Sequence, residues 1–214
     1  MRKLTMIAML SLVLAVICVP VDARADDGRW EIGPRLILVT AGGEPTNDLT
    51  GGGIYGRYHL NDQWKIGFAV DSMTGDFEEP YRLLGIASTE VVDGTVDLLV
   101  FSASIEREYG APADKSRWFW NAGLGFSSPD VTDVTGLIPG GGTFDLTTDA
   151  GTETLLMLSG GLRRRLGKNW NLEVGVRFDQ HFTDWTIRDR DSAGTATLSN
   201  YNAYGAQLGV TYRF

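Results

Sequence analysis

The sequence predicts an all-β fold: eight antiparallel strands closed into a membrane-spanning barrel, with short turns at one end and long loops at the other. Three observations carry this. Apolar and polar residues alternate in one segment after another, short and long connections alternate along the chain, and aromatic residues gather at one end of the strands. The clearest segment sets Trp170, Leu172, Val174, Val176 and Phe178 on one face and Asn171, Glu173, Gly175, Arg177 and Asp179 on the other. A period of two, with bulky apolar groups facing one way and charges the other, marks a strand between two different solvents.

Taken in order, the first strand is expected at about 29–39 and opens on Trp30; the second, at about 52–60, ends near Tyr58. The third alternates Trp64, Ile66, Phe68 and Val70 against Lys65, Gly67, Ala69 and Asp71. The fourth is expected at about 95–109 and closes on Tyr109; the fifth runs through Trp118, Trp120, Ala122, Leu124 and Phe126. The sixth is expected at about 153–166, the seventh is the Trp170 segment, and the eighth alternates Tyr204, Ala206, Leu208, Val210, Tyr212 and Phe214. Asn61-Asp62-Gln63, about 110–116 and Gly167-Lys168-Asn169 read as short turns. The connections near 40–51, 74–94, 128–152 and 188–200 read as long, flexible, acidic loops. An antiparallel barrel with both termini on one side requires this order, with short turns in the periplasm and long loops outside. Trp30, Tyr58, Trp64, Tyr109, Trp118, Trp170, Tyr212 and Phe214 then all fall at the periplasmic end, as an interfacial girdle, and only the sixth strand, with Leu166, departs from it.

The N-terminus reads as an export signal. Arg2 and Lys3 precede an apolar stretch from Thr5 to Val19, and Ala23-Arg24-Ala25 supplies small residues for cleavage after Ala25. Residues 1–25 are therefore expected to be a cleavable signal peptide and residues 26–214 the barrel domain. Cys18 lies inside the apolar stretch, and Ile17 is too large for a lipoprotein signal, so the mature chain is expected to hold no cysteine, disulfide or thiolate metal site. The formal charge of −8 argues against a nucleic-acid partner. A soluble lipocalin-like barrel would also alternate, but it would be apolar inside and polar outside. Here the face opposite the bulky residues mixes glycine with opposed charges, which suits a narrow lumen filled by ion pairs.

The last strand ends Gln207-Leu208-Gly209-Val210-Thr211-Tyr212-Arg213-Phe214. Gln207, Gly209, Tyr212 and Phe214 resemble the β-signal of bacterial outer-membrane proteins. The resemblance implies recognition by the barrel-assembly machinery, after delivery by periplasmic chaperones. The eight-strand layout resembles the small OmpA/OmpX-like outer-membrane β-barrel domain group. That implies a monomer in the bacterial outer membrane, surrounded by its lipids and lipopolysaccharide. No residue follows Phe214, so a periplasmic peptidoglycan-binding domain is not expected.

Charges facing hydrocarbon would cost about 2–4 kcal/mol each for Arg or Lys at the midplane. Glu31, Arg35, Arg57, His59, Lys65, Glu106, Arg163, Arg165, Glu173, Arg177 and Arg213 are therefore expected to face inward. All but His59 are assigned to a lumen ion-pair network, read as a structural plug, with a gated ion path through the same pairs as the sharper reading. Nearer the outside, the same phase turns Ile37, Val39, Leu98, Val100, Leu155 and Met157 inward, a candidate apolar pocket for a small hydrophobic ligand. PagP-like and OmpW-like barrels offer the analogy. Bulges in the first, fourth and sixth strands would instead turn those residues to lipid. A lipid-modifying acyl hydrolase or transferase would need a hydroxyl nucleophile bonded to His181, which reads more simply as a solvated histidine at a loop end. No catalytic residue, metal site or cofactor is assigned. The expected role is that of a non-enzymatic envelope barrel meeting the exterior through its loops.

Overall fold

The computed structural model describes residues 28–42, 46–77, 80–88, 90–92, 94–111, 113–192 and 194–214. The expected signal peptide 1–25, with Cys18 and the cleavage site, lies outside these. Described strands are β1 (Trp30–Ala41), β2 (Thr46–His59), β3 (Trp64–Phe77), β4 (Glu90–Val92), β5 (Gly94–Tyr109), β6 (Ser116–Val131), β7 (Val134–Ile138), β8 (Gly142–Asp149), β9 (Glu153–Arg165), β10 (Trp170–Asp189) and β11 (Thr195–Arg213). Eight of them close a ring, β1-β2-β3-β5-β6-β9-β10-β11, with β11 pairing both β10 and β1. Every pairing is antiparallel, so no edge is left at the level of the barrel.

The short turns are held by local chemistry. Asn61 Oδ1 accepts the backbone N–H groups of Gln63 and Trp64, both at 2.9 Å, which folds the β2–β3 turn on itself. Asp114 Oδ2 does the same for Ala111 N–H at 2.7 Å, and Gly110 supplies the positive φ of 126° where β5 leaves the sheet. At this end the aromatics meet in pairs: Trp30 with Tyr58 (5.1 Å between centroids), Trp64 with Trp120 (5.9 Å) and Trp170 with Tyr212 (5.0 Å). Leu166 stands exposed in the gap at β9. Above the girdle, Leu36, Leu38, Phe68, Leu124, Phe126, Val174 and Val176 stay exposed on the outer wall, the band that hydrocarbon covers.

The upper half differs from the expectation. Much of what reads as loop is strand: β2 begins at Thr46, β3 reaches Phe77, β6 reaches Val131, β10 reaches Asp189 and β11 begins at Thr195. The physical reason is that the strands leave the membrane. Once outside hydrocarbon, their outer face turns polar (Thr74, Asp97, Asp130, Arg188) and imitates a loop in composition. The inner face stays apolar, and Leu49, Met73, Phe77, Val96, Trp185 and Ile187 are all buried. The connection after β6 folds back as β7 and β8, and β8 pairs with the top of β10. Phe144 and Leu146 thereby join the core, and a short 3₁₀ turn at Pro80–Leu84 packs Tyr81 against Phe144 at 5.5 Å.

One bulge is visible where β11 passes β10. Asn200 takes a positive φ of 48°, and its Oδ1 accepts Thr183 N–H at 3.2 Å. The register slips between His181 and Asp184, so above the bulge Leu198 rather than Ser199 turns toward the core. No such slip occurs in the pairings of β1, β5 or β9 with their barrel neighbours.

Candidate functional site

The alternation that fixes the outer wall also delivers a row of inward side chains from each barrel strand. Near the periplasmic mouth these rows converge on one cluster. It draws Glu31 from β1, Arg57 from β2, Lys65 from β3, Glu106 and Glu108 from β5, Arg117 from β6, Arg163 from β9, Glu173 from β10 and Thr211 from β11. Arg57 Nε lies 2.9 Å from Glu106, and Arg57 Nη2 lies 2.5 Å from Glu173. Arg163 reaches Glu106 at 2.8 Å and Glu173 at 2.6 Å, and also pairs with Glu108. Lys65 Nζ sits 2.6 Å from Glu108, 3.3 Å from Glu31 and 3.5 Å from Glu106, while Arg117 holds Glu108 from below at 2.7 Å. Glu31 also accepts from Asn171 Nδ2 at 2.8 Å and from the Thr211 hydroxyl, with His59 Nε2 at 3.1 Å.

Four cations thus meet four carboxylates. The balance matters because an isolated buried charge is costly, and its desolvation is offset only when partners and hydrogen bonds saturate it. A second cluster lies above. Arg35 Nε bonds Asp71 at 2.8 Å, Arg177 Nη1 bonds the same carboxylate at 3.1 Å, and Arg177 Nε bonds Asp179 at 2.7 Å. Between the two, the Tyr55 ring lies against Arg57 (4.3 Å) and Arg35 (5.4 Å). A Cβ at Gly209 would meet the Tyr55 hydroxyl at 2.6 Å, so this position of the last strand leaves room for the ring. A cavity of about 30 Å³ remains here, bounded by Tyr55, Ser102, Ser104, Asn121, Ser159 and Gln207.

Of the ten charges expected in one network, eight fall in these two clusters: Glu31, Arg57, Lys65, Glu106, Arg163 and Glu173 in the lower, Arg35 and Arg177 in the upper. Arg165 and Arg213 sit half-buried at the periplasmic rim instead, with Arg213 Nε donating to the Gly28 carbonyl. Both are one strand step too close to the turns to reach the cluster. Glu108, Arg117, Asp71 and Asp179 complete the pairs and were not assigned to the network, although Glu108 and Asp71 share the parity of Glu106 and Lys65.

Above the second cluster the lumen turns apolar. Ile37, Val39, Leu98, Val100, Leu155 and Met157 are all buried, in one cluster with Leu49, Met73, Phe77, Val96 and Trp185. One polar group interrupts it. Glu153 Oε2 accepts from Ser127 Oγ at 2.6 Å and lies 2.9 Å from His181 Nδ1, and His181 stacks on Tyr201 at 4.3 Å. His181 is fully buried, not a solvated loop-end histidine, because β10 runs on past it for eight further residues. The carboxylate stands between serine and imidazole, whereas an activated serine needs the imidazole in the middle. A wider depression of about 460 Å³ lies toward the outer wall beside Leu158, Val176, Phe178 and Tyr204.

The Outer membrane protein beta-barrel domain model matches residues 9–214. Among solved structures, Neisserial surface protein A is 16% identical with a TM-score of 0.50, over 88% of this chain and 98% of that one. OprG from Pseudomonas aeruginosa is 10% identical with a TM-score of 0.57, over 86% and 95%. AlkL, solved in DMPC lipid bilayers, is 18% identical with a TM-score of 0.50, over 86% and 89%. No curated protein sequence gives a match. At these identities the solved structures speak for the fold, while the family model covers nearly the whole chain. The chain belongs to the outer membrane protein β-barrel domain family and is a protein of the bacterial outer membrane.

Proposed function

We propose that this barrel is a non-enzymatic membrane anchor, closed to solutes, that acts at the cell surface through the sheet it raises above the membrane. The observation that carries the reading is how the lumen is filled. From the periplasmic mouth outward, a balanced ion cluster, a second set of paired charges and a packed apolar core follow one another. The gap between the charged clusters, about 30 Å³, has room for two or three waters, at on the order of 10–15 Å³ each. The packing of Ile37, Val39, Leu98, Val100, Leu155 and Met157 against Leu49, Met73 and Phe77 supports a filled core over a pocket for a hydrophobic ligand. The order Ser127–Glu153–His181 supports a structural role for that histidine over a catalytic one.

Gln207, Gly209, Tyr212 and Phe214 are proposed as the signal read by the barrel-assembly machinery, and the folded chain as a monomer among outer-membrane lipids and lipopolysaccharide. The mature barrel is taken to begin after Ala25. The purified protein in planar lipid bilayers should give no steady unitary conductance, and liposomes carrying it should not swell in small sugars. A stable open channel in the unmodified protein would overturn the closed-lumen reading.

A further inference from the structure

Every lysine and arginine in the two inner clusters has a carboxylate partner; Arg107, on the outer wall, does not. It sits directly between Trp64 on β3 and Trp120 on β6, its cross-strand neighbours, and shares their outward phase. Its guanidinium carbon lies 5.2 Å from the Trp64 ring and 5.0 Å from the Tyr109 ring. The Trp64 and Trp120 rings meet edge to face at 5.9 Å, and Trp120 Nε1 donates to the Tyr109 hydroxyl at 2.9 Å, so the aromatic wall is itself braced. Among the described residues, Arg107 has no ion pair, and its Nε is buried with no hydrogen-bond acceptor. With Nε covered by the rings, the two terminal amino groups are the N–H edge that faces outward, and that Nη1–Nη2 edge matches two oxygens of a phosphate.

Depth decides which phosphate. Arg107 lies two residues from the β5–β6 turn, inside the aromatic girdle that marks the periplasmic interface, where long cationic side chains reach toward lipid headgroups. We propose that Trp64, Arg107, Tyr109 and Trp120 form a binding site for the phosphodiester of a phospholipid in the periplasmic leaflet. Arg107 supplies the hydrogen bonds, and the three rings fix its plane.

The test is 15N–31P dipolar dephasing by solid-state NMR, on protein labelled at its arginine side chains and folded into phosphatidylethanolamine–phosphatidylglycerol vesicles. One strongly dephased guanidinium signal should be present in the unmodified protein and missing from Arg107→Gln. Arg107→Lys, a second variant, should remove the same signal and no other. A spectrum in which neither variant changes the dephasing overturns the site. The same protein in maltoside micelles with inorganic phosphate should show no dephasing at Arg107; equal dephasing there would overturn the lipid assignment in favour of a free anion.

Discussion

Glu173 is the residue on which the lower cluster turns. Arg57 and Arg163 both bond it, from β2 and from β9, so it ties strands that are not neighbours in the ring. Replacing it with glutamine keeps the volume and removes one anion from a balanced buried set. Glu173→Gln should lower stability by about 3–5 kcal/mol, the cost of leaving a buried charge short of its partner. Urea unfolding in lipid vesicles would measure it; a loss below about 1 kcal/mol, the size of an exposed pair, would mean the charges are not coupled. At the far end, Asp189 shows the same chemistry outside the membrane. Burial pushes its carboxyl up, but the Ser192 hydroxyl and the backbone N–H groups of Asp145 and Asp191 outweigh this and hold it below the ordinary value of 3.8. A carboxyl depressed in the folded state contributes stability above its unfolded pKa and loses it as the pH falls through the folded one. The β10–β11 turn should therefore hold its amide protection at neutral pH and lose it below about pH 3.8 in the unmodified protein, but not in pH-dependent fashion in Asp189→Asn.

At the scale of the strand, parity is what the membrane reads. Val176 on β10 is exposed to the outer wall, while its neighbour Arg177 is buried inside. Val176→Arg should cost about 2–4 kcal/mol if that face meets hydrocarbon near the midplane. Folding titrations in vesicles test this, and a neutral result would remove Val176 from the lipid face. Strand parity was legible in the sequence because each side chain faces either hydrocarbon or lumen, and no partner needs to be known to tell which. Strand length was not. Above the membrane the outer face becomes polar, the contrast between faces reverses, and Phe77, Phe144 and Leu146, inside the stretches 74–94 and 128–152, look like isolated apolar residues in a loop.

For the whole molecule, the consequence is a core that continues beyond the bilayer. Trp185 is fully buried there, with Phe77 at 6.1 Å and Tyr201 at 5.8 Å, under the sheet formed by β7, β8 and the top of β10. Trp185→Ala should cost about 3–5 kcal/mol by opening a cavity, and the loss should be local to the cap. Protease added outside intact vesicles should then cut the β7–β8 region while the barrel below stays protected. Unchanged resistance would mean that the cap does not depend on this core.

What the sequence determined by itself is the closed eight-strand ring, its aromatic girdle and the alternation of faces within the membrane-embedded part of each strand, since all of these follow from a period of two and from the solvent on each side. What only the tertiary structure decided is which inward residues meet. Parity cannot say that Arg57 finds Glu173 across the lumen, that Arg165 and Arg213 stop at the rim, or that His181 is sealed beside Glu153. Those contacts depend on the stagger between strands and the height at which each row crosses the barrel, and these are set by the closure of the ring as a whole.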